Sequence, residues 1–447
     1  MKLKTGLASI IAGMALTSAV SAQSLKDAVQ QTINENPEVL SAKDERLAVE
    51  QQIDQARASY FPTVDVAAGY GFEQSNNPTT RGRFNTSSPS QTGTVQYGRE
   101  EASVMIRQMI FDGLATPNEV ARHEAITNAK AFNLFGRAEI TALKTVEAYL
   151  NILRQESLLQ LAQENLAYHA RTGDQIRLRS EQGIGKKADN EQSAGRLSLA
   201  ETNVKAAEGN LKDAKTAFLR VVGVLPGKLD MPADPNTMLP ADIDAAVEKA
   251  VENHPILKSA NADIDSAFSQ HETAKAAYMP RVDFEGGGSW NNNLDGIPGK
   301  NEDLTAMLRL RYNLFNGGKD VARREETAHL ISQAKDIRDN TYRQVVESMR
   351  LSWVAHTTVK NQLDFFKTHR DSSIKALEAY QLQFNIGQRT LLDLLDSANE
   401  MFVAKSDYVN AQFDEYYAAY RILASMGSLN QSLGVTLPQE TEPLANN

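Results

Sequence analysis

The chain has 447 residues, no cysteine and a formal net charge of −9. Without cysteine it has neither disulfides nor thiolate metal sites, and the acidic balance argues against a nucleic-acid-binding surface. Length alone would accommodate two or three globular domains, so the pattern along the chain decides the architecture.

Lys2 and Lys4 precede an apolar, small-residue run from Leu7 to Val20, and Val20-Ser21-Ala22 offers a cleavage site before Gln23. This is the layout of a secretory signal peptide over residues 1–22. Its removal takes the formal charge from −9 to about −11. The mature protein is therefore expected beyond the inner membrane of a Gram-negative-type cell, or secreted outright. After Ala22 no run of ~18 apolar residues follows, so any contact with a bilayer requires a β-barrel.

The rest of the chain is duplicated. An offset of 218 carries Ala28, Val29, Pro37, Ser41 and Ala42 onto Ala246, Val247, Pro255, Ser259 and Ala260, and Tyr60-Phe61-Pro62 onto Tyr278-Met279-Pro280. Farther on an offset of 204 carries Phe111, Gly113, Gly183, Asp189, Ser193, Ala194 and Gly223 onto Phe315, Gly317, Gly387, Asp393, Ser397, Ala398 and Gly427. The change of offset places a longer Ser/Thr/Gly/Asn-rich loop, residues 76–98, in the first copy. The organisation read from this is a first repeat over 23–223, a linker over 224–240, a second repeat over 241–427 and a tail over 428–447.

Each repeat reads as helix, strand, loop, strand, very long helix, corner and returning helix. The first helix is expected from Ser24 to about Ser59. Alternation then sets Val64, Val66, Ala68, Tyr70 and Phe72 on one side, and the returning strand alternates through Ala102, Val104, Ile106, Gln108 and Ile110. The first hairpin occupies about 63–111. In the second, over about 281–315, Leu304, Ala306, Leu308, Leu310, Tyr312 and Leu314 face one way and Arg309, Arg311 and Asn313 the other. Strands of ~10 residues with one apolar and one polar face suit a transmembrane barrel; a hairpin half-buried on a soluble domain is the alternative. Helical stretches over about 117–182 and 319–386 would each run roughly 100 Å.

The returning helices show how these rods pack. Leu197, Ala200, Val204, Ala207, Leu211, Ala214, Phe218 and Val221 keep a 3-4 spacing, repeated by Met401, Ala404, Tyr408, Ala411, Glu415, Ala418 and Ile422. A second seam runs through Leu391, Leu395, Ala398, Phe402, Val409, Phe413, Tyr416, Tyr420 and Leu423. Two seams on one helix call for a neighbour on each side, as in a wall of helices, with a compact bundle as the alternative. Four strands cannot close a barrel, and an open edge in lipid leaves backbone groups unpaired. The barrel must be shared between copies, as a dimer of eight strands or a trimer of twelve.

The stretch NIGQRTLLDLLDSAN sets Asp393 and Asp396 three residues apart on one side of a helix near its start. Acids suit a helix N-terminus for macrodipole reasons alone. They also begin a 3-4 stripe with Glu400, Asp407, Asn410 and Asp414, where the first copy reads Asp189, Gln192, Arg196, Leu199, Asn203, Ala206 and Asn210. A lumen lining and a solvated outer face both accommodate such a stripe.

The duplicated pattern, YFP and YMP before the strands, LFNGG after the last one and FNIGQRTLLDLLDSAN together resemble the TolC family of outer-membrane exit ducts. The resemblance covers about 24–434. It implies a mainly α chain with a membrane β-barrel: a homotrimer whose twelve-stranded barrel in outer-membrane lipid continues into a long periplasmic α-helical barrel. It implies docking onto a periplasmic adaptor (membrane fusion) protein and an inner-membrane ABC or RND pump. Asp393 and Asp396 fall on the family's aspartate rings at the periplasmic gate, and Asp189 and Arg389 on its gate network, where an ion pair between them is expected. Phe384 replaces a tyrosine and Gln412 a second latch arginine, so the closed state would rest on other bonds. The corners Gly183-Ile184-Gly185 and Gly387-Gln388 match the tips that meet the adaptor.

No HExxH, G-x-S-x-G, Walker A or dinucleotide fingerprint occurs, so no enzymatic activity, catalytic residue, metal site or cofactor is expected. Within the duct class, the absence of a cysteine after the signal and the long first-copy helices favour type I protein secretion over small-molecule efflux. A soluble periplasmic coiled-coil scaffold is the reading from another class.

Overall fold

The computed structural model describes residues 23–83, 93–183 and 186–445. The expected leader, part of the 76–98 loop, Ile184 and Gly185 lie outside the described residues.

The first helix is broken where one continuous helix was expected. Helix α1 (Leu25–Glu35) starts on Ser24, whose hydroxyl accepts the Asp27 N–H at 3.2 Å. It stops at Asn36, and α2 (Pro37–Arg57) begins with a proline. Pro37 has no N–H to donate back into α1, and as a first helical residue it starts a helix without loss. Asn36 uses the break: its amide donates to the Val221 carbonyl at 2.7 Å and its Oδ1 accepts the Glu38 N–H at 2.9 Å.

Strand β1 (Thr63–Ser75), the short helix α3 (Pro78–Arg83) and strand β2 (Val95–Phe111) follow, then α4 (Ala115–Glu181) and α5 (Lys187–Val222). The second half repeats this with α6 (Ile243–Asn253), α7 (Pro255–Lys275), β3 (Arg281–Asn292), β4 (Lys300–Arg311), α8 (Lys319–Asn385) and α9 (Leu391–Ser425). A final turn, α10 (Leu429–Ser432), is the last described α-helix. The halves correspond closely: α4 and α8 have 67 residues each, α5 has 36 and α9 35. Among the described residues no helix is long and apolar enough to cross a membrane.

The four strands form one antiparallel sheet in the order β1-β2-β3-β4. Register runs from Thr63 opposite Arg107 to Ser75 opposite Val95, and from Arg281 opposite Arg311 to Asn292 opposite Lys300. The even-numbered face carries Val64, Val66, Tyr70, Phe72, Leu304, Leu308 and Leu310, with Leu304 90% and Tyr70 86% exposed. The odd-numbered face is ionic. Asp283, fully buried, accepts from Arg281 Nε at 3.0 Å and Arg311 Nη1 at 2.7 Å, while Glu285 accepts from Arg309 Nε at 2.7 Å. A Cβ on Gly287 would fall 2.7 Å from the Val104 carbonyl, so strands β2 and β3 need glycine there. Strand β4 ends at Arg311, short of Tyr312 and Leu314, which the alternation had included. Asn313 instead turns the chain, its Oδ1 accepting the Phe315 N–H at 3.0 Å, and Gly317 and Gly318 take positive φ.

Two compact units emerge, each drawing on both repeats. One contains the chain up to Leu40, Arg137–Glu252 and Val346–Pro438; the other contains Ser41–Gly136, Asn253–Val345 and the segment from Gln439. The second holds the sheet. In the first, most of both seams read on α9 is buried: Ala404, Ala411, Glu415, Ala418 and Ile422 on one, and Leu391, Leu395, Ala398, Phe413, Tyr420 and Leu423 on the other, while Met401, Tyr408, Phe402, Val409 and Tyr416 are half-buried. Alanine at seven-residue intervals permits close helix approach. The linker is held by Tyr149, a fully buried residue of α4. Its hydroxyl lies 2.6 Å from the Asp230 carbonyl and 2.7 Å from that of Gln23, and burial pushes its pKa up to about 12.

Candidate functional site: the helix corners and the first turns of α9

Both corners turn on a glycine with the same conformation, Gly183 and Gly387, each at φ 78°. An added Cβ would meet open space at either position, so left-handed backbone, rather than crowding, is what requires glycine. After Gly387 the Gln388 N–H reaches back to the Gln383 carbonyl at 2.9 Å, closing the end of α8. Gly183, Gly387 and Gln388 are exposed, as are the aliphatic side chains of Leu178, Leu382 and Ile386 just before the corners.

Beneath the second corner lies a small core of Ile176 from α4, Leu377 and Phe384 from α8, and Leu391, Leu394, Leu395 and Ala398 from α9. Phe384, which lacks the hydroxyl of a tyrosine, is buried here with the Arg179 guanidinium 5.0 Å from its ring centre. This core fixes the face of α9 that turns inward and therefore which face presents Asp393 and Asp396.

Asp393 is the third residue of α9 and completes a capping box. Its Oδ2 accepts the Thr390 N–H at 3.1 Å and the Thr390 hydroxyl at 2.9 Å, while the Asp393 N–H donates to that hydroxyl at 3.2 Å. The Thr390 hydroxyl, then its backbone N–H, hold the carboxyl below the usual range, and the Arg389 charge adds to this. The box is spelled in the sequence as T-L-L-D, Thr390 to Asp393, a side-chain acceptor three residues after a threonine. In the first copy Lys186 stands at the equivalent cap and makes no side-chain capping bond.

Asp396 is one turn on, and its Oδ1 accepts from Arg196 Nη2 of α5 at 2.6 Å. Its carboxylate is 57% exposed and the Arg196 side chain 28%. Behind Arg196, His169 is buried, and burial followed by the Arg196 charge lowers its pKa, which favours a neutral ring.

Asp189 lies in the first turn of α5. Within the chain, Arg389 Nε donates to Gln383 Oε1 at 2.9 Å and its guanidinium stacks 4.4 Å from the Tyr380 ring centre. The expected Asp189–Arg389 pair is not among the ion pairs of the described residues. The acidic stripe farther along α9 finds partners on several helices. Glu400 lies 3.6 Å from His369 of α8, and Asp414 is paired with Arg154 of α4. Glu415 sits in the seam, 6% exposed, accepting from Asn236 Nδ2 at 2.6 Å with His356 Nε2 at 3.5 Å. Among the described residues no cluster of side chains could hold a metal ion.

Comparison with known proteins gives the family. Residues 28–224 and 246–428 match the model of the outer membrane efflux protein family. The chain is 25% identical to the outer membrane efflux protein BepC of Brucella suis, covering 96% of this chain and 91% of BepC. It is 21% identical to the outer membrane protein TolC of Vibrio cholerae, covering 93% of each, and 21% identical to the alkaline protease secretion protein AprF of Pseudomonas aeruginosa, covering 91% of this chain and 85% of AprF. The solved outer-membrane channel OprN superposes with a TM-score of 0.75 at 16% identity over 90% of each chain.

The fold is thus that of an outer-membrane channel, a mainly α chain of the class with a helical barrel and a membrane β-barrel. The chain belongs to the outer membrane efflux protein family. It resides in the cell outer membrane, extends into the periplasm, and is a channel rather than an enzyme.

Proposed function

We propose that three copies of this chain, released from the leader at 1–22, form a passive duct for a tripartite type I protein secretion system. The observation that carries the duct is the sheet. It presents an uncovered apolar face, a lattice of charge on the other, and β1 and β4 as edges without a neighbour among the described residues. In the bilayer those edges must be joined, since open backbone groups there cost several kcal/mol each. Head-to-tail copies set β4 antiparallel to the next β1, and three copies give twelve strands.

At the periplasmic end Asp393 and Asp396 line the gate, Asp189 and Arg389 act in its closure between copies, and the tips at Gly183, Ile184, Gly185, Gly387 and Gln388 receive the adaptor. The exposed Leu178, Leu382 and Ile386 supply apolar surface for that contact. An inner-membrane ABC pump supplies energy. Likeness to AprF supports protein secretion; likeness to BepC supports the second reading, small-molecule efflux beside an RND pump.

The test is conductance of the purified protein in planar bilayers. A cation-selective pore is expected, with Asp393→Asn lowering the cation-to-anion permeability ratio severalfold. A pore whose selectivity ignores that substitution would remove Asp393 from the entrance. Loss of an exported protein, rather than drug sensitivity, on deleting the chain decides between the two cargo classes.

A further inference from the structure

The two aspartates at the start of α9 are not equivalent. Asp393 is hydrogen-bonded by neutral donors, the hydroxyl and N–H of Thr390, while the nearby Arg389 guanidinium is engaged by Gln383 and Tyr380, so its negative charge is pinned in place without a bonded counter-charge. Asp396 is held by a guanidinium at 2.6 Å. Of the two carboxylates, only Asp396 is paired directly with a cation, so each chain brings one negative charge without a bonded counter-charge to these turns of α9 instead of two. We propose that Arg196 is a selectivity-determining residue of the channel, a built-in counter-charge that silences the Asp396 ring and leaves Asp393 to carry cation recognition. This rests on the reading of the first turns of α9 as the periplasmic entrance.

The duplication supplies an independent argument. Under the offset of 204 that aligns the two returning helices, Arg196 of α5 stands where α9 has Glu400, and Gln192 stands where α9 has Asp396. The first copy thus carries a cation on the stripe where the second carries anions, and the fold brings that cation onto the second copy's acid.

A mechanical role is the competing explanation, and the exposure of the pair argues against it. With Asp396 57% and Arg196 28% exposed, water screens their attraction, and ion pairs this open hold helices together weakly. Their charges still set the potential in a narrow, water-filled passage, where clustered like charges act on passing ions at a distance of several ångströms. A trivalent cation feels that potential three times as strongly as potassium does. Removing three guanidinium charges from one level of the passage is expected to tighten its block on the order of tenfold at moderate ionic strength.

The experiment uses the full-length channel in planar bilayers, with a potassium chloride gradient for selectivity and hexaamminecobalt(III) chloride as blocker. Arg196→Gln should raise the cation-to-anion permeability ratio and tighten block about tenfold. Asp396→Asn, which strands the arginine, should weaken both, and Arg196→Gln with Asp396→Asn together should return close to the parent. Arg196→Lys, keeping the charge, should behave as the parent and controls for assembly. If Arg196→Gln leaves selectivity and block unchanged while Asp393→Asn lowers them, the entrance reading stands and the counter-charge role is overturned. If Arg196→Gln raises conductance without moving selectivity, Arg196 is a fastener and the proposal is again overturned. If none of these substitutions moves either readout, the entrance reading falls and takes this proposal with it.

Discussion

Glu139 lies in α4 at 3% exposure and takes three donors from the tail of the chain. The Leu429 N–H reaches Oε2 at 2.9 Å, and the Asn430 N–H and side-chain amide reach Oε1 at 3.1 and 3.0 Å. Burial nonetheless dominates and pushes the carboxyl up to about 7, the donors pulling the other way. An acid whose folded pKa exceeds its unfolded one binds more protons when folded, so its contribution to stability falls as pH rises from about 4.5 to about 7 and is flat above. Thermal unfolding of the detergent-solubilised channel, followed by helical circular dichroism, should therefore show a midpoint that drops between pH 5 and pH 8. Glu139→Gln should flatten that drop, and at pH 5 it should cost ~1–3 kcal/mol because its amide turns a donor toward one of the N–H groups. A pH slope unchanged in the variant would show that other groups carry it. Nothing local in the sequence marks this residue. A glutamate inside a 67-residue helix has the same spelling whether it faces water or a segment 290 residues away.

Among elements, the sheet was the most legible, because side-chain period two survives in any register and the sequence alternates cleanly. Its apolar set, Val64, Val66, Tyr70, Phe72, Leu304, Leu308 and Leu310, lies together on one uncovered face in the fold. The lattice on the opposite face was not legible, since pairing Asp283 with Arg311 depends on strand register. The break at Asn36 is marked in the sequence only by Pro37, which a helix can also carry as a kink, and the strand end at Arg311 is hidden because alternation continues into Tyr312 and Leu314. At the corner, the glycines could be read from spacing, whereas the Arg196–Asp396 pair needed two helices brought together. The lattice carries its own prediction. Asp283 is fully buried under two half-exposed arginines, so Asp283→Asn leaves Arg281 without its carboxylate and Arg311 with Glu285 alone. A cost of ~1–3 kcal/mol is expected, below that of a fully buried pair because both guanidiniums reach water. It should appear as a lower dissociation temperature of the assembled channel in detergent. Asp65→Asn, an exposed carboxylate on the same face, should change it little.

At the scale of the whole molecule, incompleteness of the sheet is the controlling fact, and the lack of any native cysteine makes it directly testable. If β4 of one copy pairs with β1 of the next, the ionic faces must be continuous around the barrel, and odd-numbered residues of β1 must oppose odd-numbered residues of β4. A side-chain period of two allows no exception, because a slip by one residue would turn Val64, Val66 and Tyr70 into the polar interior. With Ala67→Cys fixed on β1, a second cysteine can be walked along β4 at Asn301, Asp303, Thr305, Met307 and Arg309, and separately at Lys300, Glu302, Leu304, Ala306 and Leu308. Disulfides form across Cα separations of ~4.4–6.8 Å, the spacing of directly opposed residues in neighbouring strands. Oxidation of outer membranes should therefore link chains at an odd-numbered partner and fail along the even-numbered series. Each chain carries both cysteines, so complete oxidation of a ring of three gives covalent trimers as the largest species on a denaturing gel. Covalent dimers as the end point would instead mean an eight-stranded barrel of two copies, and links along the even series would mean that the faces assigned to lipid and lumen are reversed between copies.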